Sequence, residues 1–190
     1  MQKYKIKIDK RCFVETPKDK KYFKGCQNTL LLSNKHALFP TRKKAKELGF
    51  KNVIVKSDIS CEVNKIVGDI ISYLKKTTDK LILILWGETT LEIKGKGKGG
   101  RNQYFALKFL QKTKGKYLLA SLNTDSFDNT PFAAALVDNI LYEKVLKNKE
   151  NINRYIQNAN SYEFFKKYKT YIITGKTGLN VADIIVASKI

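Results

Sequence analysis

Two apolar rhythms alternate along this chain. Leu81-Ile-Leu-Ile-Leu85 is continuous, short and bounded by polar residues, the pattern of a strand buried on both faces. Thr29-Leu-Leu-Leu-Ser33, Asn52-Val-Ile-Val-Lys56 and Lys116-Tyr-Leu-Leu-Ala-Ser121 predict further strands, and the alternation of Tyr4, Ile6 and Ile8 predicts one at the N-terminus. Between them the spacing lengthens. Val63, Ile66, Val67, Ile70, Ile71 and Leu74 fall on one helical stripe, whose expected role is core packing. Asn34 stands in a capping position ahead of Ala37-Leu38 and the run Thr41 to Leu48, and Gly49 ends that run. Asn102 to Leu110 again has apolar positions at helical spacing. Beyond it the pattern predicts an alanine-rich helix from Phe132 to Val137, and helical segments around Tyr142–Leu146, Ile152–Gln157 and Ser161–Phe165. A strand at Thr170–Thr174, a turn at Gly175–Gly178 and a closing edge strand at Ile184–Ala187 follow.

Strands alternating with helices over short links predict an α/β fold: a single domain with a mostly parallel, Rossmann-like sheet, helices on both faces and an antiparallel edge. Residues 1–28 form a polar, basic lead-in with a candidate N-terminal strand, and residues 29–190 form one compact unit. At 190 residues the chain can bury a substantial core. It contains no apolar run of membrane-spanning length and no signal-peptide core. Cys12, Cys26 and Cys61 form neither a paired framework nor a metal-ligand spacing, and His36 stands alone, so zinc is not expected and a reducing cytoplasm is. The formal charge of +20 suits either a polyanion surface or ordinary solvated faces rich in lysine. Its 37 basic residues are dispersed, and only Arg11, Arg42, Arg101 and Arg154 are arginine, the residue that leads in base contacts. Nucleic acid is therefore not the favoured partner.

The chemistry gathers between the Leu81–Leu85 strand and the Asn102 helix. Gly95, Gly97, Gly99 and Gly100 are interleaved with Lys96, Lys98 and Arg101. Glycine lets backbone N–H groups turn toward an anion, a helix N-terminus adds a favourable dipole, and arginine offers a planar fork to carboxylate or phosphate. The alternative is a flexible basic hairpin tip. Two further loops follow strands, Asn123–Thr130 and Gly175–Asn180, and in parallel sheets such loops converge on ligands. Two apparent motifs fail. Gly95-Lys-Gly-Lys-Gly-Gly100 fits a dinucleotide fingerprint, but Thr89–Lys94 separates it from the strand. Gly175-Lys-Thr177 lacks the upstream glycine of a phosphate-binding P-loop, Thr170 standing there. Asp125 and Asp128 share a loop with Thr124 and Thr130. Such carboxylates either hold hydrated Mg²⁺ and accept a hydroxyl proton, or cap turns and the next helix.

Gly87-Glu-Thr-Thr90, the block GKGKGGRNQ from Gly95 to Gln103, Thr124-Asp125, Asp128, Asn160-Ser-Tyr-Glu-Phe-Phe165 and Thr174-Gly-Lys-Thr-Gly-Leu-Asn-Val181 together resemble the MOFRL domain, the C-terminal lobe of type II glycerate kinases. The resemblance covers nearly the whole chain. It implies transfer of the ATP γ-phosphoryl group to D-glycerate or a similar hydroxyacid, with Mg²⁺ accompanying ATP, in a cleft shared with a larger N-terminal lobe. That lobe has no counterpart in this sequence, so the expected partner is a separate lobe or a second copy of the chain, and the chain alone is expected to be inactive. Carried over by position, Arg101 would bind the anionic substrate or transferring phosphate. Asp125 would serve as a catalytic or Mg²⁺-associated carboxylate with Asp128 beside it. Glu88, Gly97, Gly99, Gly100, Asn102, Thr124, Thr177 and Asn180 would line the cleft. The family loop T-D-G-x-D-G appears as Thr124-Asp-Ser-Phe-Asp-Asn129, with both glycines replaced. Its N-D-S-Y is Ala159-Asn-Ser-Tyr162, and its T-G-P-T-G-T-N-V-N-D is Thr174-Gly-Lys-Thr-Gly-Leu-Asn-Val-Ala-Asp183. Ser126 and Asn129 would be strained if the turn needs positive φ, asparagine less so. The other reading is a binding module that keeps the fold and has lost catalysis.

Overall fold

The computed structural model describes residues 9–12, 14–29, 34–77 and 80–189. The predicted N-terminal strand around Tyr4–Ile8 lies outside these residues, as does most of the predicted Thr29–Ser33 strand. The chain divides into two compact units, Met1–Leu31 and Leu32–Ile190. In the first, 3-10 turns occupy Lys10–Cys12 and Lys20–Phe23, the second capped by Asp19 through the Lys21 N–H.

The second unit runs α1 (Asn34–Glu47), β1 (Asn52–Ile59), α2 (Val63–Lys76), β2 (Leu81–Gly87), α3 (Arg101–Thr113), β3 (Leu118–Asn123), β4 (Ala134–Val137), α4 (Asn139–Lys147), α5 (Ile152–Gln157), α6 (Ser161–Tyr168), β5 (Tyr171–Ile172) and β6 (Asp183–Lys189). The strands form one sheet in the order β1-β2-β6-β3-β4-β5. β2 lies inside it, and its alternate residues serve two cores. Leu81, Leu83 and Leu85 join the helices α2, α3, α5 and α6 on one face, while Ile82, Ile84 and Trp86 meet Leu38 and Ala45 of α1 on the other. That is the physical meaning of the unbroken apolar run. The α/β class with helices on both faces holds.

Three expectations are corrected. The sheet is not mostly parallel: among the described strands only β1 and β2 run parallel, and the other strand pairs are antiparallel. The closing strand is not an edge, because β6 inserts between β2 and β3, pairing along its whole length with β2 and from Asp183 to Ser188 with β3. Finally, Phe132–Val137 is not a helix. Ala134–Val137 is β4, paired with β3 and β5. Alanine's helix preference is worth only tenths of a kcal/mol per residue, and a segment so short cannot nucleate a helix alone. Two strand neighbours and the burial of Ala135 and Val137 in the core shared with α3 decide the matter.

Candidate functional site

The site is built where β2 and β3 end and α3 begins. β1 and β2 lose register between Lys56 and Ile59, so the chain after β2 is drawn close to Ile59. Gly87 has φ +150 there, and a Cβ on it would lie 2.2 Å from the Ile59 carbonyl oxygen. Glu88 then donates its N–H to that oxygen at 2.8 Å, and Thr90 donates to Cys61 at 3.0 Å. The backbone beneath Glu88 and Thr89 is therefore fixed.

α3 starts at Arg101 with Gly100 as an extended cap residue that offers no side chain. Its first N–H groups are met from elsewhere. Asp128 accepts the Asn102 N–H at 3.3 Å and the Gln103 N–H at 2.9 Å, and the Gln103 side-chain amide donates to the Asp128 carbonyl at 3.0 Å and to Thr130 Oγ1 at 2.8 Å. An anion does sit at this helix N-terminus, and it is the chain's own. Asp128 is 3% exposed. Burial raises its pKa, the Gln103 and Asn102 N–H donors act against that, and the nearby Asp183 charge adds to it.

The glycines serve close packing. A Cβ on Gly100 would overlap the Asp128 carboxyl carbon at 2.1 Å, and one on Gly99 would overlap Ser161 Oγ at 2.1 Å. Gly95 and Gly97 lie against the Asn158 backbone. The Gly97 N–H donates to Asn158 at 2.7 Å and the Lys98 N–H to Asn160 Oδ1 at 3.2 Å, so these two amides point into protein. Asn102 also faces inward, accepting from Ser121 Oγ at 2.6 Å.

Arg101, the first residue of α3, turns its guanidinium to two carboxylates. Nε and Nη2 donate to Asp183 at 2.6 and 3.1 Å, and Nη1 donates to Glu88 at 2.6 Å. The Asp183 hydrogen bond is the main influence raising the Arg101 pKa, so the charge is permanent. Asp183 opens β6 and carries no local motif of its own. Its only signal in the sequence is its place as the last letter of the family's final loop pattern.

The loops after β3 and β5 are tied together at Thr124 and Thr177. Thr124 Oγ1 donates to the Ala182 carbonyl at 2.8 Å and accepts the Val181 N–H at 3.0 Å. Thr177 Oγ1 donates to the Thr124 carbonyl at 2.6 Å, and the Thr177 N–H donates to Ser126 Oγ at 3.1 Å. Ser126 and Asn129 have φ of 77° and 53°, so the turn does require the left-handed region where the family pattern has glycine. Ala182 also sits there, at 73°. Asn180 is exposed and accepts from the Ala182 N–H at 3.3 Å. Asp125 is half-buried and its carboxylate accepts the Phe127 N–H at 3.0 Å, leaving a free oxygen.

Thr89, Leu91, Arg101, Asn123, Phe127 and Asn129 line a cleft of about 220 Å³. Of the expected residues, Arg101 and Asp128 contribute to its walls, with Glu88 bonded to Arg101. Thr124 and Thr177 hold the loops behind it, and Gly97 and Gly99 belong to the packing of the 158–161 segment. Thr89, Asn123 and Phe127 are additional lining residues. Two larger cavities, about 440 Å³ each, lie nearby: one shares Leu91 and Ile93 with the cleft, and the other is lined by Lys149, Arg154 and Asn158. Among the described residues, no group of three or more His, Cys, Asp or Glu is arranged to hold a metal ion, and no helix is long and apolar enough to cross a membrane.

Known proteins resemble this chain in sequence and in fold. The chain is 32% identical over 170 residues to a glycerate 2-kinase of Pyrococcus horikoshii, covering 84% of this chain and 39% of that protein. It is 35% identical over 152 residues to a D-glycerate 2-kinase of Thermotoga maritima, covering 75% of this chain and 36% of the relative. The crystal structure of a glycerate kinase from Thermotoga maritima superposes with a TM-score of 0.78 at 30% identity, over 85% of this chain and 42% of that one. The chain thus spans about two fifths of the length of the relatives it matches. Residues 81–183, from the first residue of β2 to the Asp183 that holds Arg101, match the MOFRL family, and the chain belongs to it.

Proposed function

We propose that this chain is the C-terminal lobe of a glycerate-kinase-like phosphotransferase. It transfers the γ-phosphoryl group of ATP to D-glycerate, giving 2-phosphoglycerate, in a cleft that an N-terminal lobe completes. The observation that carries the reading is the cleft at the α3 N-terminus. It presents a permanently charged Arg101 beside polar loop groups, yet at about 220 Å³ it is smaller than the roughly 300–1,000 Å³ of sites that enclose their ligands. The matched kinases are more than twice as long, which leaves room in them for the opposite wall.

In this reading Arg101 binds the anionic substrate or the transferring phosphate through N–H groups outside its pair with Asp183. Asp128 is a positioning residue that sets the start of α3. Asp125 offers one carboxylate oxygen, too few for a metal cage but suited to Mg²⁺ that travels on ATP phosphates and keeps its waters. Phosphoryl transfer asks chiefly for such positioning and charge neutralisation. The lobe comes from another part of the same gene or from another chain, a second copy included. A reducing cytoplasm fits the three free cysteines. One observation favours the alternative, a binding module without catalysis: both glycines of the aspartate loop are replaced at positions with positive φ. The test is phosphate transfer from ATP to D-glycerate by residues 32–190 fused to the N-terminal lobe of a relative. The first reading predicts turnover by the fusion and none by the chain alone.

A further inference from the structure

Arg101 is held by two carboxylates of unlike character. Asp183 has a side chain 1% exposed and engages two N–H groups of the guanidinium, whereas Glu88 is 63% exposed and engages one. Asp128 adds its field from within the protein. One cation therefore faces three acidic side chains, and an incoming anion meets net negative charge until one carboxylate leaves. Asp183 cannot leave, because no solvent is there to take up its charge. Glu88 can. An exposed ion pair contributes little, and water replaces the arginine as soon as the side chain turns outward. Its backbone stays anchored on Ile59, so only the side chain need move.

We propose that Glu88 is an exchangeable carboxylate. Without ligand it occupies the outer N–H of Arg101, and it yields that N–H to the carboxylate of an incoming small hydroxyacid. This rests on the reading of Arg101 as the substrate's anion site. Exchanging one monoanionic carboxylate for another leaves the charge around Arg101 unchanged, whereas a phosphate dianion adds repulsion from Asp183 and Asp128. Glu88 is then a specificity determinant as well as a placeholder.

The test is titration of the full chain with D-glycerate and, separately, with inorganic phosphate, following the arginine Nε–H signals by nitrogen-edited NMR. With only four arginines in the sequence, Arg101 is assigned from an Arg101→Lys sample. The expected result is D-glycerate binding that is about fivefold tighter in Glu88→Gln and absent in Arg101→Ala, with weaker binding of phosphate. The Arg101 Nε–H should remain protected from exchange in Glu88→Gln, since Asp183 still holds it. D-glycerate binding that is unchanged or weakened in Glu88→Gln overturns the exchange and leaves the kinase reading standing. Phosphate binding without D-glycerate binding overturns the hydroxyacid commitment and with it the exchange, and leaves Arg101 as a site for the transferring phosphate. Absence of binding by either ion in wild type and Glu88→Gln overturns the proposal.

Discussion

Asp128 closes the N-terminus of α3 from 25 residues away, its Oδ2 accepting the Gln103 N–H at 2.9 Å. The helix that carries Arg101 thus begins on a buried carboxylate supplied by the loop after β3, and loop and helix cannot move independently. Asp128→Ala leaves the Asn102 and Gln103 backbone N–H groups without their acceptor, while the Gln103 amide keeps the carbonyl of residue 128 and Thr130 Oγ1. It should lower stability by about 2–3 kcal/mol in urea unfolding.

The same carboxylate gives a pH signature. Burial raises its pKa, so the folded state holds the proton more tightly than the unfolded chain does. Its contribution is then full below the ordinary carboxylate value of about 4 and declines as pH rises through the folded value. Asp128→Asn does not titrate there. The stability gap between wild type and Asp128→Asn should narrow from pH ~4 toward neutrality, read from unfolding curves across that range. A widening gap would contradict the assignment.

Gly100 should tolerate no side chain. Its φ of −111° suits any residue, but an added Cβ would collide with the Asp128 carboxyl group. Gly100→Ala should cost about 1–3 kcal/mol, and displace Asp128 and Arg101 together. Gly68, in α2, has nothing within 4 Å of the same position, and Gly68→Ala should stabilise by about 0.5–1 kcal/mol. Thermal melts of the two variants should therefore move in opposite directions.

Backbone strain should be relieved unequally. Ala182 and Ser126 both have φ above 70°, but Ser126 accepts the Thr177 N–H and Ala182 has no such side-chain bond to offer. Ala182→Gly should stabilise by about 1 kcal/mol, while in Ser126→Gly the lost hydrogen bond offsets most of the relief. Comparable gains at both positions would mean that the Ser126–Thr177 bond contributes nothing.

What the sequence makes legible here is what is local. The α2 stripe and the two-faced β2 run were readable because their periodicity reports burial directly. β4 was not, since a short alanine-rich segment takes its conformation from the strands beside it. The place of β6 at the centre of the sheet has no local signature either. At the site, Arg101 and the loop glycines stood out by residue type, but the reason for the glycines did not. Gly100 makes room for Asp128, and Gly95 and Gly97 make room for Asn158, partners set by the fold. Asp183, an ordinary aspartate between Ala182 and Ile184, becomes important only because β6 delivers it to Arg101.

The central claim is tested most directly by joining residues 32–190 to the N-terminal lobe of the Thermotoga maritima relative and measuring ATP-dependent formation of 2-phosphoglycerate from D-glycerate. The account predicts turnover by the fusion, and a fall in kcat/KM of about 100-fold or more on Arg101→Ala with the fold retained. A folded fusion without activity, or activity indifferent to Arg101, would contradict it.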